Sequence, residues 1–387
     1  RDIGVTGVQT CALPILREER ARLRHLLDDR AALLDAMVGE LKALRKRFAT
    51  PRRTRLVEGG DELVAQRAAA VRPSTELQRQ QAFEALAGDS QLLIQADGAV
   101  RIVTPQVLGR LHLEEAAELG DQPAPARLIL PTSHQPSLLA FTASGRVALL
   151  RWEFAGQQPG NVEKFLPDSL QGEQVVQVLP LPHPPEGSLG LLSSDGRFKR
   201  LPIEEFLELS GRAATVLKLK DGVILQRVVV CRDNQELVVA SSSGRLLRLA
   251  VNDTNLPLLG RVAQGPMLLR LLPGEAVVGA ACVAAEGEVL LVSRVGRLKR
   301  LRVSSLRACQ RGDLGQIGLR LPDRGDRLVD IRAESTTVVG VRLAGSDGRS
   351  LRLRPQDIRS EDGEGPGLDL PLAAGDAVRE LVPLNLP

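Results

Sequence analysis

Two hydrophobic patterns divide the chain. From Leu16 to Phe48, apolar residues fall at Leu23, Leu27, Leu34, Met37, Leu41, Leu44 and Phe48, with Arg30 on the one vacant seam position. The steps alternate between four and three on a highly charged, proline-free segment. That heptad predicts a coiled-coil helix over 16–50 whose narrow stripe needs a partner helix. Pro51 stops it. Residues 51–89 are polar, carry Gly59, Gly60 and Pro73, and read as a linker with a short helix within 75–88. After residue 90 the period becomes two. Six times an apolar strand runs into a glycine turn and out again: QLLIQ, SLLAFT, LGLLSS, ELVVAS, EVLLVS and VVGVRL lead to Gly98, Gly145, Gly196, Gly244, Gly296 and Gly348. Glycine accepts the positive φ that a tight hairpin turn requires. The glycines are 47, 51, 48, 52 and 52 residues apart. A second phrase recurs between hairpins: LKLKDG at 217–222, LRLLPG at 269–274 and LRLPDRG at 319–325. Each unit then holds about four strands. The expected fold is mainly β: a six-bladed propeller-like domain over 90–387.

Composition narrows the picture. The 387 residues are 43% hydrophobic but only 2% aromatic, so the core must be built from Leu, Val, Ile and Ala. The four cysteines, Cys11, Cys231, Cys282 and Cys309, show no CxxC spacing and read as buried or idle thiols rather than a metal site. No apolar run is long enough to span a bilayer as a helix, and a cytoplasmic location is expected, with no membrane partner. Residues 5–15, VTGVQTCALPI, match the in-frame translation of a sequencing adapter. Residues 1–15 are therefore set apart from fold reasoning, and the natural chain is expected to continue upstream of Leu16.

Net charge is only +4, yet the cations are ordered. An arginine follows the turn glycine in five repeats, at Arg146, Arg197, Arg245, Arg297 and Arg349. Another follows three residues later at Arg200, Arg248, Arg300 and Arg352, and Lys199, Lys299 and Arg302 extend the phrase. The stretch 289–312 holds seven cations and no acid, whereas the first repeat keeps only Arg101. Carried around a disc, these twelve side chains predict a positive rim for duplex DNA, bound through its phosphates on one favoured arc without base reading. The alternative is that they are solvated hairpin faces, and that the disc is a scaffold for protein partners.

On these residues the chain resembles the C-terminal part of the A subunit of a type IIA DNA topoisomerase, either gyrase or topoisomerase IV. LREERARLRHLLDDRAALLDAMVGELKALRKRFATPRRT at 16–54 is similar to the family's returning coiled-coil helix. The GR-x-[KL]-R-L repeats are similar to its six-bladed DNA-wrapping domain, and RVAQGPMLLRLLPGEAVVGA at 261–280 to its blade-closing segment. The resemblance implies DNA bending or wrapping in support of ATP-dependent changes of DNA topology. It implies as partners duplex DNA, a second copy of the A-type chain, and a B-type ATPase chain. ATP and Mg²⁺ belong to other parts of that complex, and no cofactor is expected in this chain. The family cleaves DNA with a tyrosine, and the chain has none, so no cleavage activity is expected from it alone. The gyrase members carry a box Q-R-R-G-G-K-G after the first blade. Here that place reads RIVTPQVLGRLHLEEAAELG, and the nearest match is Gln310-Arg311-Gly312-Asp313-Leu314-Gly315. A topoisomerase IV-like chain, or a divergent second A-type paralogue, fits that departure better.

Overall fold

The computed structural model describes residues 9–48, 75–209, 212–321, 325–345, 349–363 and 365–385. They fall into two compact units that divide after Arg72. In the first, α1 (Gln9–Asp28) and α2 (Arg30–Phe48) succeed one another with a break at Asp29. The Asp29 carboxylate accepts the Ala31 N–H at 2.8 Å, the capping bond that restarts a helix. The helix expected over 16–50 is therefore present as two segments. Its heptad side chains are exposed, Leu27 at 83% and Phe48 at 67%.

The second unit is a ring of six sheets. Each is centred on one hairpin, over 91–103, 138–149, 188–202, 235–250, 288–302 and 339–353 in order of blade. The turn of the last hairpin, at Gly348, lies outside the described residues. The inner strand of each blade follows its own hairpin: Ala126–Pro131, Val175–Pro180, Leu225–Cys231, Val277–Ala284, Leu328–Ala333 and Val378–Pro383. The outer strand comes from beyond the next hairpin. Gly160–Asn161, Ala214–Thr215, a bridge at Met267, Gln316–Ile317 and Leu368–Asp369 complete blades 1 to 5. Blade 6 is completed by Ala117–Gly120, donated by the first repeat. The same rule that joins neighbours thus closes the ring.

The turn glycines serve this donation as well as the hairpin. Gly244 has φ +82° and its carbonyl accepts the N–H groups of Gly318 and Leu319. A Cβ at Gly244 would collide with the Leu319 carbonyl, and one at Gly196 with that of Leu269. Each inner strand also carries a bulge at the same place, where register shifts beside the last residues of the hairpin's first strand. Bulges turn the strand and re-aim its side chains toward the axis.

Because side chains alternate along a strand, each hairpin feeds two interfaces. Leu92 and Ile94 face blade 2, whereas Leu93 faces blade 6. Six apolar clusters fill the six interfaces, rich in Leu and Val as the composition required. The smallest lies between blades 6 and 1: Leu93, Leu113, Ala126, Ile129, Val338 and Leu384. Polar ties reinforce that seam. Arg127 pairs with Glu380 at 2.7 Å, Arg342 donates to the Ala96 carbonyl at 2.7 Å, and the Ile129 N–H donates to Asn385 O at 3.3 Å.

One feature departs from expectation, and one adds to it. The short helix α3 (Thr75–Glu84) is docked on the ring rather than lying in a free linker. Phe83 meets Trp152 edge-on with ring centres 5.3 Å apart, and Arg79 pairs with buried Glu153. The remaining linker, 51–74, lies outside the described residues. Cys231 and Cys282, in adjacent inner strands, bring their Sγ atoms to 3.3 Å. The hydrogen bond with Cys231, and then burial, hold the Cys282 thiol well above its ordinary pKa.

The donation rule predicts a contrast between two glycines. Gly244→Ala introduces both a strained φ and a backbone collision and is expected to cost at least about 3 kcal/mol. Gly222→Ala, at φ +76° but with open space around it, is expected to cost about 1 kcal/mol. Urea denaturation of the two variants measures the difference.

Candidate nucleic-acid interface

Four of the twelve cations expected on a rim lie inside the ring instead. Lys199, Arg200, Lys299 and Arg352 are at most 4% exposed. Lys199 Nζ donates to the carbonyls of Gly260, Arg261 and Ala263 at 2.9, 2.8 and 3.0 Å. Lys299 Nζ does the same with Gly318, Gly363 and Gly365, with Glu361 nearby. A lysine ammonium has three donors and no acceptor, so it suits a bend lined by carbonyls. Burial lowers the Lys199 ammonium to about 8, against a raising pull from Glu205.

The second arginine of the phrase reaches into the next repeat. Arg200 donates to Leu256 O at 2.5 Å and Asp253 at 2.6 Å. Arg248 donates to Leu306 O at 2.8 Å and pairs with Glu236 at 3.1 Å. Arg300 donates to Pro355 O at 3.2 Å and pairs with Glu288 and with Glu334. Arg352 closes the series by donating to Glu115 O in the first repeat at 2.9 Å. The carbonyl acceptors Leu256, Leu306, Pro355 and Glu115 belong to the segments that carry the donated outer strands across the blades.

The first arginine of the phrase ties its turn to nearby carboxylates. Arg146 pairs with Glu173 at 2.5 Å, Arg197 with Asp195 at 3.3 Å, Arg297 with Asp369 at 3.0 Å and Arg349 with Asp376 at 2.9 Å. Arg245 pairs with Glu275 and donates to Leu314 O. Burial works to raise the Glu275 carboxyl, but bonds from Arg245, Ser243 and the Leu272 N–H outweigh it and bring it down to about 2. Arg302 alone of the twelve is exposed, its side chain 49% accessible, and it still meets Asp362 at 3.3 Å. Lys199, Arg200, Lys299 and Arg352 thus form an internal latch, and the expected rim is corrected for those four.

A different set of cations faces solvent. Counting three residues past the position paired with the start of the outer hairpin strand gives Lys164, Lys218, Arg270 and Arg320 on blades 1 to 4. All four are exposed. In blade 5 the place is held by Leu372. On blades 2 to 4 the pattern is Leu-cation-Leu, with the first leucine buried: Leu217, Leu269 and Leu319. Their N–H groups donate to Gly145, Gly196 and Gly244, which fixes each cation beside the turn of the blade it sits on. Arg307 and Arg311 are also exposed, on the segment that runs beside Arg248 of blade 4. The segment 310–315 is a tight turn: Asp313 accepts the Gln310 N–H at 2.8 Å, and its own carbonyl accepts the Arg270 N–H at 3.1 Å. Asp313, which departs from the gyrase box, therefore caps the turn. The alternation in LKLK, LRLL and LRLP carried the signal for this outward row, since neighbours of a buried strand residue face out.

Comparison with known proteins agrees with this architecture. A family model described as the DNA gyrase C-terminal domain, β-propeller, matches residues 191–232, 235–284 and 287–333. The A-type chain of DNA topoisomerase 4 from Synechocystis sp. is 24% identical over 444 residues, covering 92% of this chain and 48% of that protein. The A-type chain of DNA gyrase from Ureaplasma parvum serovar 3 is 29% identical over 236 residues, covering 59% of this chain and 28% of that protein. The chain thus spans less than half the length of these relatives. Among solved structures, the C-terminal domain of DNA topoisomerase IV superposes with a TM-score of 0.60 at 16% identity, over 77% of this chain and 93% of that one. The DNA gyrase A C-terminal domain gives 0.59 at 17%, over 76% and 99%. Six blades, each completed by its neighbour and written in gyrase-type repeats, define the β-pinwheel class of propeller. Blades 3 to 5 thus carry the gyrase-type C-terminal repeat, and the whole ring has the fold of the C-terminal domains of DNA topoisomerase IV and DNA gyrase A.

Two measurements check these contacts. Lys199→Met is expected to lower the melting temperature by several degrees, because three carbonyls lose their donor, as a thermal melt reads. Glu275 has a folded pKa of about 2, below its ordinary 4.5. Its contribution is therefore complete above about pH 4.5 and is lost as pH falls toward 2, up to about 3 kcal/mol. Wild type and Glu275→Gln should converge in urea stability over that window; a constant difference would refute the assignment.

Proposed function

We propose that the ring binds and bends duplex DNA on its outer edge, and that Lys164, Lys218, Arg270, Arg307, Arg311 and Arg320 carry the contact. The observation behind this reading is the repetition of one exposed cation at one place on four consecutive blades. A row set at regular angles suits a polyanion that curves, and needs no base recognition. The arc ends where blade 5 offers Leu372. In the assembled enzyme the ring presents a DNA segment for passage, beside a second A-type chain and the B-type ATPase chain. Strand cleavage by a tyrosine is proposed to be supplied by another part of the enzyme, since this chain has none. ATP and Mg²⁺ are likewise proposed to act on other parts of the enzyme. The exposed stripe from Leu23 to Phe48 is proposed to seat on a helix of the same enzyme as a coiled coil. No described helix is long and apolar enough to cross a membrane.

Fluorescence anisotropy with a duplex oligonucleotide tests the arc. Lys218→Glu with Arg270→Glu is expected to weaken binding at least tenfold at low salt and to reduce the slope of log K against log salt by about 2. The melting temperature should stay within about 2 °C, because both side chains face water. Unchanged affinity and slope would sink the arc. Absence of salt-sensitive binding in the wild type would favour the protein-scaffold reading instead.

A further inference from the structure

Residues of all six inner strands, joined by the first hairpin strands of blades 1 and 6, line a half-open cavity of about 570 Å³. Its wall is unusual in charge. Arg127, Arg227, Arg332 and Arg342 line it, against only two carboxylates set back from solvent, Asp330 and Glu380. The other charged lining groups, Asp97, Glu163 and Arg379, are exposed. The two carboxylates are already engaged. Asp330 accepts Arg227 at 2.7 Å, Arg332 at 3.0 Å and the Leu381 N–H at 2.9 Å. Glu380 accepts Arg127 at 2.7 Å and Arg342 at 3.2 Å. Two positive charges are left over.

The ring is also shaped around one of these arginines. Arg227 stands on blade 3 and reaches Asp330 on blade 5, passing over Gly279 of blade 4. A Cβ at Gly279 would lie 3.0 Å from its guanidinium. Arg227 Nε is buried and has no hydrogen-bond partner. Burial and then the charge of Arg227 bring Arg332 down to about 10, the direction expected of a guanidinium short of counter-charge.

We propose that this axial cavity is a binding site for a small tetrahedral dianion of the phosphate or sulfate class, held by Arg127, Arg227, Arg332 and Arg342. The charge left over matches a dianion, and guanidinium forks match its oxygens. At about 30 Å³ per water, the cavity also has room for a partial hydration shell. A bound dianion joins blades 1, 3, 5 and 6 across the seam with the smallest apolar cluster. It therefore stabilises the closed ring by mass action. This inference does not depend on where DNA binds.

The test uses the full chain. Melting temperature and calorimetric titration are followed as chloride is replaced by inorganic phosphate at constant ionic strength. A saturable rise with phosphate and sulfate, but not chloride, is expected. Arg227→Gln is expected to weaken phosphate at least tenfold. Because that change also removes a partner of Asp330, Arg127→Gln is titrated as well, and it too is expected to weaken binding. A duplex oligonucleotide at equal phosphate concentration forms the second arm. If it reproduces the Arg227-dependent rise, the cavity reads DNA backbone and the proposal falls. An equal rise in chloride, a rise that never saturates, or phosphate affinity unchanged in both variants would also overturn it.

Discussion

The ring depends on holding strands that cannot hold themselves. Most of the donated outer strands are only two residues long, and one is a single bridge at Met267. So short a ladder contributes a few hydrogen bonds, little beside the entropy of fixing the loop that carries it. The cations of the basic phrase supply what the ladder lacks. Lys199, Arg200, Lys299 and Arg352 gather carbonyls that no strand partner satisfies, and they do so inside the protein, where an unmet carbonyl is costly. The turn glycines complete the device by letting the donated backbone approach within hydrogen-bonding distance.

This arrangement reconciles a nearly neutral chain with its ordered cations. Acids answer the phrase almost one for one: Glu173, Glu236, Glu275, Glu288, Asp369 and Asp376 stand against Arg146, Arg248, Arg245, Arg300, Arg297 and Arg349. The outward row on blades 1 to 4 stands apart from this pairing by its exposure. Structural and functional charge are thus separated by depth rather than by sequence position. In LKLK the leucine before Lys218 pins the backbone and Lys218 faces out, while in GRFKR the lysine itself turns inward.

Much of the fold was legible because it is written locally. The turn glycines, the period-two strands and the repeat length pointed to six blades, and the repeated phrases pointed to the topoisomerase family. The depth of the cations was not legible. Their acceptors include backbone carbonyls, which carry no residue code, and these lie 55 to 58 residues downstream for Arg200, Arg248 and Arg300. Cys231 and Cys282 illustrate the same blindness: 51 residues apart, one repeat length, they touch. The axial arginines escaped notice because Arg127, Arg227, Arg332 and Arg342 belong to no shared phrase, and only closure of the ring brings them together. The docking of α3 turned on Phe83 and Trp152, a contact that no local pattern announces.

Donation from the following repeat also gives the chain a history on the ribosome. Blade 1 waits for one more repeat before its sheet is whole, and so does every blade through the fifth. Blade 6 inverts the order. Ala117–Gly120 emerges early and stays without its ladder until Arg352 appears, 237 residues after Glu115. For most of synthesis that segment is an open edge, the condition that invites pairing with another chain. It is short and carries Glu118 and a terminal glycine, with Asp121 next, which makes it a poor template for such pairing. The order of synthesis thereby bears on which repeat can lend the closing strand.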